Sequence, residues 1–263
     1  MNNTLSKSYQ TVATVWRRAF MDAFVAPRQF RKVMPELRRT SDMLVHPGIA
    51  NLDPAQIPAH ETPVQMLSID PGYGGMPSQD LYALLRVVRW LRPQRIFEIG
   101  TFQGVTTAQM ALNSHAEIFT LDLPRDLATQ TNGYSPADLA LLQSREEIGK
   151  RYREFNGRIH QLYGDSRTFD YTPYQETCDV VLVDACHLFD YVMSDSQNAF
   201  KLLREAGAVL WHDFGSSMDV NRACRMLAHE HKIYHLEGTA LALHVRGGSL
   251  ALALQDTASR SSG

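Results

Sequence analysis

Four polar residues stand where two apolar strand candidates end, and their side chains suit catalysis or metal binding. Asp184 ends the first of these strands, and His187 follows three residues later. His212 and Asp213 end the second strand. Because neighbouring parallel strands open into one crevice at their carboxyl ends, we expect the four side chains to converge. Two carboxylates with one or two imidazoles provide oxygen and nitrogen ligands for a divalent cation with open positions.

Each of these residues also has a structural interpretation, which the sequence leaves open. Asp184 can cap the helix that follows it, and His187 can be a loop residue bonded to backbone. His212 can be a core histidine at a strand end, oriented by Asp213. That all four residues are inert at one crevice is the weaker of the two interpretations.

A glycine-containing turn precedes these residues in the chain. Residues 95–99 form a short apolar strand that contains Glu98, and Gly100 and Gly104 follow before the helix-compatible residues 105–110. Glycines let backbone N–H groups approach a ligand closely, and the N-terminus of the following helix adds a partial positive field. The turn therefore predicts a site for a nucleotide-like cofactor at the carboxyl end of a strand.

Two further acidic residues follow later strands. Asp122 ends the second strand, eighteen positions beyond Gly104, where a carboxylate can accept hydrogen bonds from two ribose hydroxyls. Asp165, in the loop after the third strand, is placed to accept a hydrogen bond from an adenine amino group. The spacing from Gly100 to Gly104 differs from the G-x-G-x-x-G fingerprint of dinucleotide enzymes.

Strand and helix candidates alternate along the chain and determine where these residues stand. We predict strands at residues 95–99, 117–122, 158–163, 179–184, 208–212, 232–235 and 241–245. We predict helices from residue 78 to before Pro93 and at 104–113, 136–154, 189–204 and 218–230. Strands that are apolar throughout suit a parallel sheet covered on both faces. The alternation predicts an α/β fold with a doubly wound, Rossmann-like sheet of seven strands, in which the last hairpin contributes one antiparallel strand.

Taken in chain order, these motifs resemble those of class I S-adenosylmethionine-dependent methyltransferases. The run from Glu98 to Gly104 is similar to that family's first motif, and Asp122 stands at the position of its ribose-binding strand end. The loop at 164–166 is similar to its adenine-side loop, and the resemblance spans roughly residues 78–246. It implies S-adenosyl-L-methionine as the cofactor. The residues that it assigns to cofactor binding are Glu98, Gly100, Thr101, Phe102, Gly104, Thr106, Asp122, Leu123, Gly164, Asp165, Ser166 and Asp184.

The residues at the ends of the fourth and fifth strands resemble those of one group within this family. Asp184-x-x-His187 followed by a polar pair one strand later is similar to the metal-dependent small-molecule O-methyltransferases of the macrolide and aminocoumarin sugar type. This implies a divalent cation held by Asp184, His212 and Asp213, with Asp184 and His187 as catalytic residues and His187 as the base. Those enzymes usually carry an acidic pair or Asp-Asn where this chain has His212-Asp213. An imidazole suits Mn²⁺, Fe²⁺ or Zn²⁺ better than Mg²⁺, so the identity of the metal stays open.

The resemblance implies transfer of a methyl group to a hydroxyl of a small molecule such as a natural product, a sugar or a phenol. Two other classes stay open. A nicotinamide-dependent oxidoreductase would use the same crevice, although its glycine fingerprint is absent from the sequence. A non-catalytic member of the fold would use the sheet as an interaction scaffold, which the polar residues at strands four and five argue against.

Size, charge and composition limit the remaining classes. The chain has 263 residues, a net charge of −2 and three cysteines without a CxxC pair. We therefore expect no nucleic-acid partner, no disulfide framework and no membrane span, and a soluble, cytoplasmic protein. An apolar stripe along residues 12–24 of a predicted N-terminal helix favours a homodimer or a higher homo-oligomer.

The chain divides into three predicted segments. Residues 1–77 form a helical extension at 1–45, which caps the site or contacts a second subunit, and an irregular, proline-rich connection from residue 46. Residues 78–246 form the cofactor-binding domain, and 247–263 form a C-terminal tail. Within the domain, we predict the charged run at 144–151 as an exposed helix face and residues 132–134 as part of a lid.

Overall fold

The computed structural model describes residues 49–58, 63–68, 75–128, 140, 142–145, 147–155 and 157–247. The predicted helix at 1–45, the lid at 132–134 and the tail beyond residue 247 lie outside these ranges. The described residues form one mixed sheet with helices on both of its faces. None of the helices in these ranges is long and apolar enough to cross a membrane.

The sheet contains eight strands in the order β1-β7-β8-β6-β5-β2-β3-β4. Their bounds are β1 Ala50–Leu52, β2 Arg95–Ile99, β3 Glu117–Asp122, β4 Ile159–Tyr163, β5 Cys178–Val183, β6 Leu203–Trp211, β7 Ile233–Leu236 and β8 Leu241–Arg246. Strand β8 pairs antiparallel with β6 and β7, and every other pair is parallel. The predicted doubly wound α/β fold and its antiparallel last hairpin are confirmed.

Helices cover both faces of this sheet. They are α1 Ser78–Leu91, α2 Val105–Asn113, α3 Arg125–Ala128, α4 Phe189–Leu202 and α5 Met218–Leu227, with short 3₁₀ segments at Pro54–Gln56, Lys150–Phe155 and Thr172–Tyr174. Successive strand residues point to opposite faces. Ile96 and Leu182 therefore pack with α1 and α2, whereas Phe97 and Val181 pack with α4 and α5. This burial on both faces explains why the central strands are apolar throughout.

Strand β1 was not expected, because residues 46–78 were predicted as an irregular connection and the sheet as seven-stranded. It pairs in parallel with β7 at the sheet edge, where Leu52 lies opposite Leu236. A three-residue strand is too short for a periodic pattern, and its partner lies near the other end of the domain. Pro54, which lacks an N–H group, begins the 3₁₀ segment that follows.

The helix predicted at 136–154 is found only in part, because residues 140 and 142–144 are helical and the described residues from 145 to 154 are not α-helical. Residues 144, 147, 150 and 151 of the predicted exposed run are exposed, and Arg145 is the exception among the described charged residues of this run. Lys150–Phe155 is a 3₁₀ segment, and Arg145 is buried. Gly149 has a φ of +67°, which interrupts a continuous α-helix. Most other predicted elements match within a few residues, although β6 begins at Leu203 instead of residue 208.

Backbone hydrogen bonds continue the parallel ladders past the ends of the central strands. The N–H of Asp184 donates to the carbonyl of Ile99 at 2.8 Å, and the N–H of His212 donates to the carbonyl of Val183 at 3.1 Å. Asp184 and His212 therefore leave the same edge of the sheet as direct neighbours.

Candidate active site

An open crevice lies at the carboxyl ends of the central strands. The predicted cofactor residues that line it are Gly100, Thr101, Phe102, Gly104, Thr106, Asp122, Leu123, Gly164, Ser166 and Asp184. His187 and Asp213 line the same crevice. Glu98, Asp165 and His212 are not among its lining residues.

Two glycines of the turn are required by close packing. A Cβ atom on Gly100, whose φ is +108°, would lie 1.9 Å from the carbonyl oxygen of Asp184. Gly104, whose φ is +81°, caps α2, and a Cβ atom there would lie 2.5 Å from Cδ1 of Tyr152. The turn is therefore held between the end of β5 and the ring of Tyr152, with its backbone bare toward the crevice.

Glu98 lies below the glycine turn and is fully buried. Its Oε2 accepts hydrogen bonds from Thr107 at 2.5 Å and from Thr120 at 2.6 Å, whereas its Oε1 has no hydrogen-bond partner among the described residues. Burial raises its pKa from 4.5 to about 8, against the effect of the two threonines. Glu98 thus supports the turn from beneath, where it links β2 to β3 and α2.

Asp122 forms a buried ion pair with Arg145. Its Oδ1 lies 2.5 Å from Nη1 of Arg145, and its Oδ2 accepts a hydrogen bond from the N–H of Phe102 at 2.5 Å. Arg145 also donates to the carbonyl of Leu123. Burial raises the pKa of Asp122, and the guanidinium opposes that rise. The residue predicted to bind ribose is therefore already bonded to the turn and to an arginine that the sequence indicated as exposed.

Two of the three residues of the adenine-side loop line the crevice, and the third bonds to other parts of the protein. Gly164 and Ser166 line the crevice. Asp165 instead uses Oδ2 to accept a hydrogen bond from the hydroxyl of Tyr191 at 3.1 Å, and Oδ1 to accept one from the N–H of Arg167 at 3.0 Å. These bonds shape the loop, and Asp165 is not among the residues that line the crevice.

The four residues at the ends of β5 and β6 converge, as their positions predicted. His187 Nε2 lies 2.7 Å from Asp213 Oδ2. His212 Nδ1 lies 3.0 Å from Asp184 Oδ1 and 3.4 Å from Asp213 Oδ2. Asp184, His212 and Asp213 each offer one ligand atom, and these atoms all lie within 4.8 Å of one another. This is the same set of residues that the sequence suggested as metal ligands.

His212 is enclosed by carboxylates. Its Nε2 lies 3.2 Å from Oδ2 of Asp80, on the side opposite Asp184 and Asp213. Burial by itself lowers the pKa of His212, but the charge of Asp184 and hydrogen bonds to all three carboxylates raise it to about 12. For Asp213, burial favours the neutral form, yet hydrogen bonds from His187 and His212 hold its pKa well below the usual range. An imidazolium at His212 and a divalent cation would thus offset the same carboxylate charges.

Three residues at the site were missed by sequence reasoning. Asp80 lies 132 positions before its partner His212 in the chain. It belongs to a helix in which the sequence indicated no functional residue. Arg145 belongs to a run of charges, and Tyr152 to a segment with weak helical periodicity. The only local signals were an acidic residue in the first turn of α1 and the glycines that leave room for Tyr152.

Comparison with known proteins identifies the domain. A family model described as a methyltransferase domain matches residues 97–214. The structure of the methyltransferase PaMTH1 of Podospora anserina, bound to S-adenosylhomocysteine (SAH), has a TM-score of 0.50 and 15% identity over 69% of this chain and 83% of that one. The O-methyltransferase TomG of Streptomyces achromogenes, involved in tomaymycin synthesis, has a TM-score of 0.47 and 19% identity over 67% and 83%. An O-methyltransferase of Bacillus cereus in complex with SAH has a TM-score of 0.45 and 17% identity over 73% and 86%.

A search of curated protein sequences found no significant match. The fold, the glycine turn and the matched domain together define an enzyme that binds a nucleoside cofactor at the carboxyl ends of a doubly wound sheet. Residues 97–214 thus match a methyltransferase domain, and the fold is shared with the SAH-bound methyltransferase PaMTH1. The matched residues run from within β2 to just beyond β6 and so include the glycine turn and the cluster around His212.

Proposed function

We propose that this protein transfers a methyl group from S-adenosyl-L-methionine to a hydroxyl of a small molecule, with His187 as the general base. The observation that carries the proposal is the 2.7 Å hydrogen bond between His187 and Asp213 on a wall of the crevice that the glycine turn also lines. A base oriented by a carboxylate suits an acceptor that must lose a proton, as a hydroxyl must.

The cofactor site is formed by the glycine turn and the ends of β3 and β4. S-adenosylmethionine, when bound, supplies a methyl group on a sulfonium, which needs only an in-line nucleophile. The bare backbone at Gly100 and Gly104 and the N-terminus of α2 bind its polar groups. Asp122 accepts hydrogen bonds from the ribose, and Ser166 lies on the adenine side. Asp165 acts through the loop that it shapes, because its carboxylate is bonded to Tyr191.

The proton of the acceptor moves to His187. If Nε2–H of His187 donates to Asp213, Nδ1 carries the lone pair that accepts this proton. The charge of Asp213 then stabilises the imidazolium that results. The acceptor oxygen would lose its proton to His187 as it forms the bond to the methyl carbon, and the bond from that carbon to sulfur would break with its electron pair left on S-adenosylhomocysteine. The crevice walls hold the acceptor in line and limit access of water.

A divalent cation fits the residues at the ends of β5 and β6. Asp184, Asp213 and Nδ1 of His212 would hold it, since these ligand atoms already lie within 4.8 Å of one another. A cation there would lower the pKa of a bound hydroxyl. The histidine in the set favours Mn²⁺, Fe²⁺ or Zn²⁺ over Mg²⁺.

The test begins with cofactor binding and then follows methyl transfer. Calorimetric titration with S-adenosylmethionine, SAH and NAD⁺ should show binding of the first two only. Incubation with labelled S-adenosylmethionine and a panel of sugar, phenol and polyketide hydroxyl compounds should give labelled product. Binding of NAD⁺ alone would favour an oxidoreductase. Binding of SAH with no transfer to any class of acceptor nucleophile would favour a scaffold.

The metal is tested separately. Dialysis against EDTA should remove activity, and Mn²⁺ should restore it, while SAH affinity stays unchanged. Asp184→Asn should abolish activity as EDTA does, and added Mn²⁺ should not restore the activity of this variant. Full activity in EDTA would contradict the proposed role of a metal, but it would remain consistent with methyl transfer.

Self-association and the domain boundaries stay predictions. The extension at 1–77 is proposed to cap the site or to join two subunits, and light scattering of the full chain and of a chain beginning at residue 46 compares their masses. A loss of the dimer on truncation supports the second role.

A further inference from the structure

Asp80 is a buried carboxylate that the proposed reaction does not use. It lies in the first turn of α1 and is 1% exposed. Its Oδ1 accepts a hydrogen bond from the N–H of Ala240 at 3.2 Å, and its Oδ2 lies 3.2 Å from Nε2 of His212. One side chain thus joins helix α1, the turn between β7 and β8, and the end of β6.

The ring of His212 is oriented by bonds on opposite sides. Nε2 faces Asp80, and Nδ1 faces Asp184 at 3.0 Å and Asp213 at 3.4 Å. Without a metal, both nitrogens face carboxylates and the ring is an imidazolium, so a ligating His212 would first have to give up one of its two protons. The nitrogen that gives up its proton then has the lone pair that a metal requires. Which nitrogen keeps the proton decides whether His212 can be a ligand beside Asp184.

We propose that Asp80 is a positioning residue that makes His212 a metal ligand. It accepts the Nε2–H of His212, which leaves the lone pair of Nδ1 directed toward Asp184 and Asp213. A carboxylate behind a ligating histidine fixes the tautomer and the ring plane and makes the ring a stronger donor. This inference rests on the divalent cation of the proposed function.

The alternative is that Asp80 only stabilises the fold. An acid in the first turn of a helix interacts favourably with the helix dipole, and Oδ1 anchors a turn. These roles need Oδ1 and the charge, but they do not need Oδ2 to lie opposite the nitrogen that faces Asp184. Among Asp184, His212 and Asp213, only His212 has two possible tautomers, and Asp80 Oδ2 lies opposite the nitrogen that faces Asp184.

The first experiment measures Mn²⁺ binding directly. Electron paramagnetic resonance of free Mn²⁺ gives the affinity of wild type, D80N, D80A and D190N. Asp190 is an exposed acid in the first turn of α4, so D190N is matched for helix position and charge. We expect D80N and D80A to bind Mn²⁺ about 10–100-fold more weakly than wild type, with SAH affinity retained, and D190N to match wild type.

The outcomes separate this inference from the proposed function. Wild-type affinity in D80N and D80A would overturn the role of Asp80 and leave the metal site standing. Absence of Mn²⁺ binding in wild type would overturn both this role and the metal, while SAH binding and methyl transfer could still succeed.

The second experiment needs no variant of Asp80 and so decides the matter if those variants fail to fold. Long-range ¹H–¹⁵N spectra of ¹⁵N-histidine protein loaded with Zn²⁺ report the tautomer of each ring, and H212N assigns the signal of His212. We expect His212 to be protonated at Nε2 with Nδ1 on the metal. A proton on Nδ1, or no change in the signal of His212 on adding Zn²⁺, would overturn the inference.

Discussion

His187 Nε2 lies 2.7 Å from Oδ2 of Asp213, and Asp213 holds that position in a left-handed backbone conformation with a φ of +58°. A positive φ at a residue other than glycine costs about 1–3 kcal/mol and persists only where surrounding contacts impose it. Here Ser216 donates to Oδ1 of Asp213 at 2.6 Å, and His212 lies against Oδ2. The carboxylate that orients the proposed base is therefore fixed before any ligand binds.

Replacement of His187 by glutamine should slow the chemical step alone. Loss of a general base costs about 10²–10⁴-fold in kcat, and the residual activity should rise with pH as the acceptor ionises by itself. SAH affinity should stay unchanged, as measured by calorimetry. H229Q, at an exposed histidine, is the control and should behave as wild type. A loss of SAH affinity as large as the loss of kcat would instead mark His187 as a structural residue.

Gly100→Ala should destabilise the protein far more than Gly157→Ala. Both glycines have similar positive φ values, +108° and +104°, but a Cβ atom on Gly157 meets nothing within 4 Å. The variant at 157 isolates the backbone strain, about 1–3 kcal/mol. The variant at 100 adds the clash with Asp184, which we expect to cost about 1–3 kcal/mol more. Denaturant unfolding measures both, and equal losses would contradict the close packing of β2 against β5.

The central strands and the convergence of their polar ends were predictable because both follow from local patterns. The residues around 181 are all apolar, which is visible without knowing their tertiary contacts, so they indicate a buried strand. Asp184 and His212 then meet because parallel strands in one sheet end at one edge. Their contact is long-range, but it follows from the parallel topology once the end of each strand is located in the sequence.

Arg145, Asp80 and β1 were not predictable, since each is defined by a distant partner. A run of charges indicates a solvated helix unless a buried carboxylate such as Asp122 accepts one of them. Asp80 reads as an ordinary acid in the first turn of a helix until His212 is placed beside it. Strand β1 consists of three residues whose pairing with β7 joins positions far apart in the chain. Such contacts arise from tertiary packing, which overrides local preference.

The ion pair of Arg145 and Asp122 should contribute to stability as a unit. R145M should lower the free energy of unfolding by about 3–5 kcal/mol, because it leaves a buried carboxylate unpaired. The double variant R145M/D122N has no buried charge left at this position. It should therefore lose about 0.5–3 kcal/mol less stability than the sum of the losses in R145M and D122N. R153M breaks the exposed pair with Glu147 and should cost no more than about 1 kcal/mol. Strictly additive losses in urea would show that the buried pair is not coupled.

Glu98 should make the stability of the protein fall as pH rises. Its pKa is raised from 4.5 to about 8 by burial, so between these values the unfolded chain releases a proton that the folded protein keeps. The free energy of unfolding should therefore decrease by about 1.4 kcal/mol per pH unit through this residue, with the contribution complete below pH 4.5 and lost as pH approaches 8. E98Q, which cannot ionise, should lack this slope, and denaturant unfolding at several pH values from 5 to 8.5 compares the curves. E117Q, at an exposed glutamate of β3, is the control and should follow wild type. Parallel curves for E98Q and wild type would mean that Glu98 is ionised beneath the glycine turn.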